Sequence, residues 1–267
     1  MSEVVTKSVE AGVALLTLNR PERLNAWTPE LGSAYFDLLE ECAADPEVRA
    51  IVVTGAGRGF CAGADMQDLQ ALGSGDIDGA ERRQDDRAQT FPTTIPKPII
   101  AAVNGPVAGI GLVLALMCDI RLIAEDAKVT TAFARRGLVA EYGMAWILPR
   151  LVGPAAAMDL LFSGRVILGT EAAAFGLANR SLSAGRVLDE AIAYARELAT
   201  FSSPASMAAM KKQVYADLER GLSAAADEAN ELMLESFQRP DFVEGVQSFV
   251  EKRAPDFPAV TSERAPA

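Results

Sequence analysis

The chain has 267 residues, enough to bury a substantial core in one large domain or two small ones. Half of them are hydrophobic and 23% charged, an ordinary globular balance, and the formal net charge of −11 argues against nucleic acid, which calls for a basic face. With no histidine in the chain, Ser-His-Asp triads, Cys-His pairs and histidine-ligated metals are excluded, and proton transfer falls to a carboxylate, Lys, Tyr, Cys or water.

In chain order, Val4–Val9 and Val13–Leu18 read as two strands joined by a turn at Ala11-Gly12. Thr28 caps a helix with Pro29 in its first turn, and Leu31, Tyr35, Leu38 and Cys42 recur at helical spacing toward the core. Ala50–Thr54 is a buried strand leading into the glycine-rich run Gly55–Asp65. The polar stretch from about Gly73 to Thr94 reads as a helical or mobile cover over a site. Pro98–Val103 is another buried strand, followed through Asn104-Gly105 by an apolar helix from about Ala108 to Cys118. Although Ile99–Cys118 is apolar, Asn104-Gly105-Pro106 interrupts it, which favours a buried helix over a membrane span.

Asp119–Ile123 and Val129–Thr131 are short strands, with Asp119 expected to fix a strand start. From Gly143 the pattern is helical, including Leu188–Leu198 and a helix after Ser203-Pro204; Met207 and Met210 are expected in the core. The expectation is an α/β core over residues 1–200 with a helical C-terminal region over 201–267. Cys42, Cys61 and Cys118 are scattered, with no CxxC pair, and the N-terminus lacks the pattern of a signal peptide. Both features point to the cytoplasm, with neither metal nor membrane.

Glycine-rich turns after strands serve tight reversals or phosphate binding. The first loop lacks G-x-G-x-x-G spacing, and no Gly-Lys-Ser/Thr appears, so neither a dinucleotide fingerprint nor a P-loop is present. Four segments in register match something else. Leu18-Asn19-Arg20-Pro21-Glu22-Arg23-Leu24-Asn25-Ala26 is similar to an L-N-R-P-x-x-x-N-A entry segment, and Phe60-Cys61-Ala62-Gly63-Ala64-Asp65 to F-x-A-G-A-D. Lys97-Pro98 through Asn104-Gly105 to Cys118-Asp119 resembles K-P-x-I-A-A-x-N-G…C-D, and Phe249-Val250-Glu251-Lys252-Arg253 resembles F-x-E-K-R. The chain thus resembles the crotonase, or enoyl-CoA hydratase/isomerase, superfamily over nearly its whole length.

That resemblance implies a crotonase-like spiral of ββα units and a C-terminal helical region that assembles a homotrimer or a dimer of trimers. It also implies an acyl-CoA substrate, with coenzyme A entering as part of the thioester and no separate cofactor. By position, the main-chain N–H groups of Ala64 and Ile110 form the oxyanion hole, Ile110 standing where a small residue is usual. Arg23, Leu24, Ala62, Asp65 and Lys252 fall at positions that contact coenzyme A, Lys252 toward a neighbouring subunit's ligand. Arg23 and Lys252 equally suit solvated surface charges, and Asp65 equally suits a helix cap.

The two glutamates that activate water in hydratases align with Val113 and Phe133, both apolar. Instead, Gly137-Leu138-Val139-Ala140-Glu141-Tyr142-Gly143 resembles the G-L-x-x-E-x-G of Δ3,Δ2-enoyl-CoA isomerases, implying Glu141 as the acid/base. Glu141 also suits a plain helix-start carboxylate. Double-bond isomerisation is the favoured expectation, with hydratase, hydrolase or lyase chemistry and a non-catalytic acyl-CoA-binding subunit as alternatives.

Overall fold

The computed structural model describes residues 3–73 and 85–260, so half of the expected cover at 73–94 lies outside the described residues. Strands β1 (Val5–Glu10) and β2 (Val13–Leu18) pair antiparallel across Ala11 and Gly12, both at positive φ as a tight two-residue turn requires. Helix α1 (Pro29–Ala44) begins where the Thr28 hydroxyl accepts the Leu31 N–H, with Pro29 at its first position. Leu31, Tyr35 and Cys42 are buried along it, together with Phe36 and Leu39, whereas Leu38 is half-buried.

From here the chain repeats a unit. Strand β3 (Ala50–Gly55), buried on both faces, leads through Cys61, which bridges to Val107, into α2 (Met66–Gly73). The second unit is β4 (Ile99–Val103), β5 (Val107–Ala108) and α3 (Ile110–Leu116); the third is β6 (Ile120–Ala124), β7 (Lys128–Thr130) and α4 (Met144–Ser163). Then come β8 (Ile167–Leu168), α5 (Gly169–Ala174), β9 (Arg180–Leu182), α6 (Val187–Phe201), α7 (Pro204–Asp217), α8 (Leu222–Ser236) and α9 (Pro240–Glu251). One sheet has the order β1-β2-β3-β4-β6-β9, parallel from β2 onward, and the other β5-β7-β8. Each unit passes from the first sheet to the second and then into a helix, which is the expected spiral of ββα units.

The expected helix at 108–118 starts later. Ala108 ends β5, and Gly109 at φ 50°, ψ −124° holds a backbone conformation closed to other residues, so α3 begins at Ile110. Helix α4 has 20 residues of mean hydropathy 1.3, yet Gly153 (φ 78°, ψ 157°) breaks it beside Pro154. The pieces 144–152 and 154–163 each fall short of the ~20 residues that span a bilayer.

A lysine ties α7 to the core. Lys211 Nζ on α7 donates to the Asp119 carboxylate at 2.8 Å and to the Pro92 carbonyl at 3.0 Å. Asp119 in turn accepts the Ile99 N–H at 2.8 Å, fixing the start of β4. On the same helix the expectation for the methionines fails: Met210 is 60% exposed and Met207 half-buried.

Candidate active site

Two asparagines set the glycine-rich loop. Asn25, fully buried, accepts the Arg20 N–H and donates to the Ala56 and Gly59 carbonyls at 3.0 and 2.8 Å. Asn104 accepts the Gly55 N–H and donates to the Gly55 and Gly57 carbonyls. The loop's polar backbone is thereby satisfied without regular structure. Beyond it, the Trp27 N–H donates to the Gly63 carbonyl and the Asp65 N–H to the Trp27 carbonyl, a one-residue parallel bridge that holds Ala64 extended.

The three units enter their helices at one place. Residues 62–66 at the entry to α2, 108–110 at the entry to α3, and Thr131, Ala132, Phe133, Arg136, Leu138, Glu141 and Tyr142 before α4 line a single cavity of about 520 Å³. The entries to α2 and α3 touch because Gly111 lacks a Cβ; one placed there would lie 2.2 Å from the Cys61 carbonyl oxygen. Ala64 and Ile110 both line the cavity, and neither backbone N–H meets an acceptor among the described residues. Ile110 is the first residue of α3, where an N–H has no partner within the helix. Two unpaired donors at one cavity wall suit an oxygen that gains negative charge.

The carboxylates at the cavity differ in their company. Asp65 is paired with Arg20 at 3.0 Å and accepts the Gln67 N–H, the hydrogen bond that chiefly holds its carboxyl below the usual range. It is the cap of α2, the second of the two readings of its sequence. Asp85 is gripped by Arg87, which brings its carboxyl down to about 2. The Glu141 carboxylate has no hydrogen-bonding partner among the described residues, although its carbonyl accepts the Met144 N–H, and burial in the loop raises its carboxyl above the ordinary value. Asp68 on α2 also lines the cavity, half-buried. Among the described residues no group of His, Cys, Asp or Glu comes together to hold a metal ion.

Residues 8–259 match the family described as enoyl-CoA hydratase/isomerase. The chain is 36% identical to the 1,2-epoxyphenylacetyl-CoA isomerase of Escherichia coli K12, over 96% of this chain and 99% of that one. Among solved structures, it is similar to an enoyl-CoA hydratase from Polaromonas sp. JS666, with a TM-score of 0.88 at 31% identity over 95% and 99% of the two chains. It is also similar to one from Mycobacterium marinum, with a TM-score of 0.70 at 44% identity over 82% and 100%. The chain belongs to the enoyl-CoA hydratase/isomerase family.

An enzyme of this family acts on acyl-CoA thioesters, and the fold is the crotonase-like one. Within that frame the structure brings Ala64, Ile110, Glu141, Arg23, Ala62 and Asp65 to one cavity. Arg23 is exposed at its edge, with no hydrogen bond from its guanidinium to a described residue. Leu24 lies outside the lining; its carbonyl accepts the Ala62 N–H at 3.1 Å, so it braces the loop from behind. Lys252 is also outside, exposed at the end of α9. Of the two apolar residues in the hydratase glutamate positions, Phe133 lines the cavity and Val113 is sealed in the core at 0% exposure. Sequence reasoning missed Arg20, which neutralises Asp65, and Trp27 in the cavity wall. The arginine of L-N-R-P was visible in the motif, but its partner, 45 positions away, was not.

Proposed function

We propose that this enzyme moves a double bond within an acyl-CoA, converting a 3-enoyl to a 2-enoyl thioester. The observation that carries the reading is the state of Glu141. It is a partly buried carboxylate without a partner among the described residues, in the same cavity as two unpaired backbone N–H groups. A base with its pKa raised toward neutrality is better matched to removing a carbon-bound proton. Glu141 takes a proton from C2, the electrons pass onto the thioester oxygen, and the Ala64 and Ile110 N–H groups hold that oxygen. The same carboxyl returns the proton at C4, and the electrons come back as a 2,3 double bond. Atoms balance with one acid/base, no water and no redox partner.

Hydration is the less favoured reaction because Val113 and Phe133 cannot polarise water. The similarity to an isomerase of a CoA thioester supports the same direction, while the similarity to hydratases keeps hydration as the second reading. For assembly, we propose a homotrimer or a dimer of trimers. Leu222, Phe249 and Val250 are 86%, 85% and 73% exposed on the C-terminal helices, a large apolar area for a solitary chain. Lys252 follows Phe249 and Val250 at the end of α9, where a neighbouring subunit's ligand would meet it.

The test compares Glu141→Gln with Asp68→Asn, using mass spectrometry and chromatography to separate isomer from hydrate. Isomerisation falls by about 10²–10⁴ in the first variant, the usual loss on removing a general base, and by much less in the second. A larger loss in Asp68→Asn, or efficient hydration surviving Glu141→Gln, overturns the assignment.

A further inference from the structure

We propose that Trp27 sets substrate class, its indole N–H donating to an oxygen atom carried on the acyl group a few carbons beyond the thioester. This rests on the reading of the cavity as an acyl-CoA site, but not on Glu141 or on which reaction it catalyses.

The placement starts from the backbone. The bridge between Trp27 and Ala64 puts their Cα atoms about 5 Å apart, the usual separation of paired strands. Trp27 therefore sits beside one of the two N–H groups assigned to the thioester oxygen, and its side chain lines the same cavity. Trp27 is 7% exposed as a residue, and its indole lies against Gly32 of α1, where an added Cβ would sit 2.7 Å from Cζ2 and 3.3 Å from Nε1. Tyr35 and Phe36 meet the ring edge-on, with centroids 6.3 and 6.1 Å away, so its orientation is fixed before any ligand arrives.

The polar end of that ring is unused. Nε1 meets no hydrogen-bond acceptor among the described residues, yet it is not sealed away like the Tyr35 hydroxyl, which is enclosed in the core without a partner. An indole nitrogen can only donate, and a buried Trp ordinarily finds an acceptor. A held donor on an otherwise apolar wall of Trp27, Phe36 and Phe133 favours an acyl group with a carbonyl, hydroxyl, ether or epoxide oxygen over a plain hydrocarbon chain. Gly32 has the complementary part, since any larger residue would push the ring and its N–H out of place.

The experiment is binding of saturated, unreactive thioesters by calorimetry, so it reads recognition whether or not isomerisation occurs. Hexanoyl-CoA is compared with 4-oxohexanoyl-CoA and 5-oxohexanoyl-CoA, on the wild type and on Trp27→Phe, which keeps an aromatic ring and removes the donor. The readout is the ratio of Kd values, in which a uniform loss cancels. The wild type binds at least one oxo ligand about 10-fold tighter than hexanoyl-CoA, as one recovered hydrogen bond allows, and Trp27→Phe brings the ratio to about 1. Gly32→Ala lowers the same ratio by displacing the indole. A wild type without preference, or a preference that survives in Trp27→Phe, overturns the proposal. Loss of isomerase activity in the Glu141 test leaves this ratio standing.

Discussion

The contact between the entries to α2 and α3 gives the sharpest quantitative test of the backbone donors. Gly111→Ala places a Cβ 2.2 Å from the Cys61 carbonyl oxygen and 2.8 Å from the Cys61 Cβ and Sγ. A tolerable contact is about 3.5 Å, so α3 and the Cys61 loop must part by roughly 1 Å. Gly111 adjoins Ile110, and Cys61 lies three residues before Ala64, so that movement separates the two N–H groups. Such donors act at about 2.7–3.1 Å from the oxyanion, and losing one costs about 10²–10³ in turnover. Overpacking by one methyl destabilises by about 1–3 kcal/mol, which a domain of ordinary stability survives. The assay is kcat for a 3-enoyl-CoA beside a melting curve and the Kd for free coenzyme A. Folded Gly111→Ala with kcat within about threefold of the wild type would refute the pairing of Ala64 and Ile110 as one oxyanion site.

Glu141 carries a pH signature in both activity and stability. Its carboxyl is raised by burial, so kcat/KM falls on acidification through a pKa above the ordinary 4.5, and an acid limb at or below 4.5 contradicts this. A raised folded-state pKa contributes stability below the unfolded pKa and loses it as pH rises, so Glu141→Gln melts higher than the wild type at neutral pH and the gap closes below pH 4.5. Sedimentation at micromolar concentration gives three or six chains of 28.3 kDa, and a stable monomer with full activity removes Lys252 as a cross-subunit contact.

Much of the fold was legible because local signals agreed with tertiary demand. The Thr28-Pro29 cap, the apolar run of β3 and the Ala11-Gly12 turn each specify one conformation, and each appears within a residue or two of its expected place. The strands that were missed are β5, β8 and the three residues of β9. At two or three residues they have no periodicity to read, and they exist because a neighbouring strand supplies their partners. Met207 and Met210 failed for another reason. Helical spacing marks an apolar face, but whether that face is covered depends on elements the spacing does not describe.

The cavity's lining was legible where a family motif covers it, and its supports were not. Glu141 and the N–H groups of Ala64 and Ile110 were named from the resemblance of their motifs to the family's. The supports did not stand out: Arg20 reaches Asp65 across 45 positions, and Asn25 and Asn104 hold a loop from opposite sides. These contacts arise because successive units enter their helices at a common edge. On the reaction proposed above, a chain with no histidine divides the work, with backbone N–H groups stabilising charge and one desolvated carboxylate moving the proton. In that division, side chains such as Trp27 are left free to choose the acyl group. Selectivity then changes by substitution in the cavity wall, while the donors, being backbone, stay with the fold.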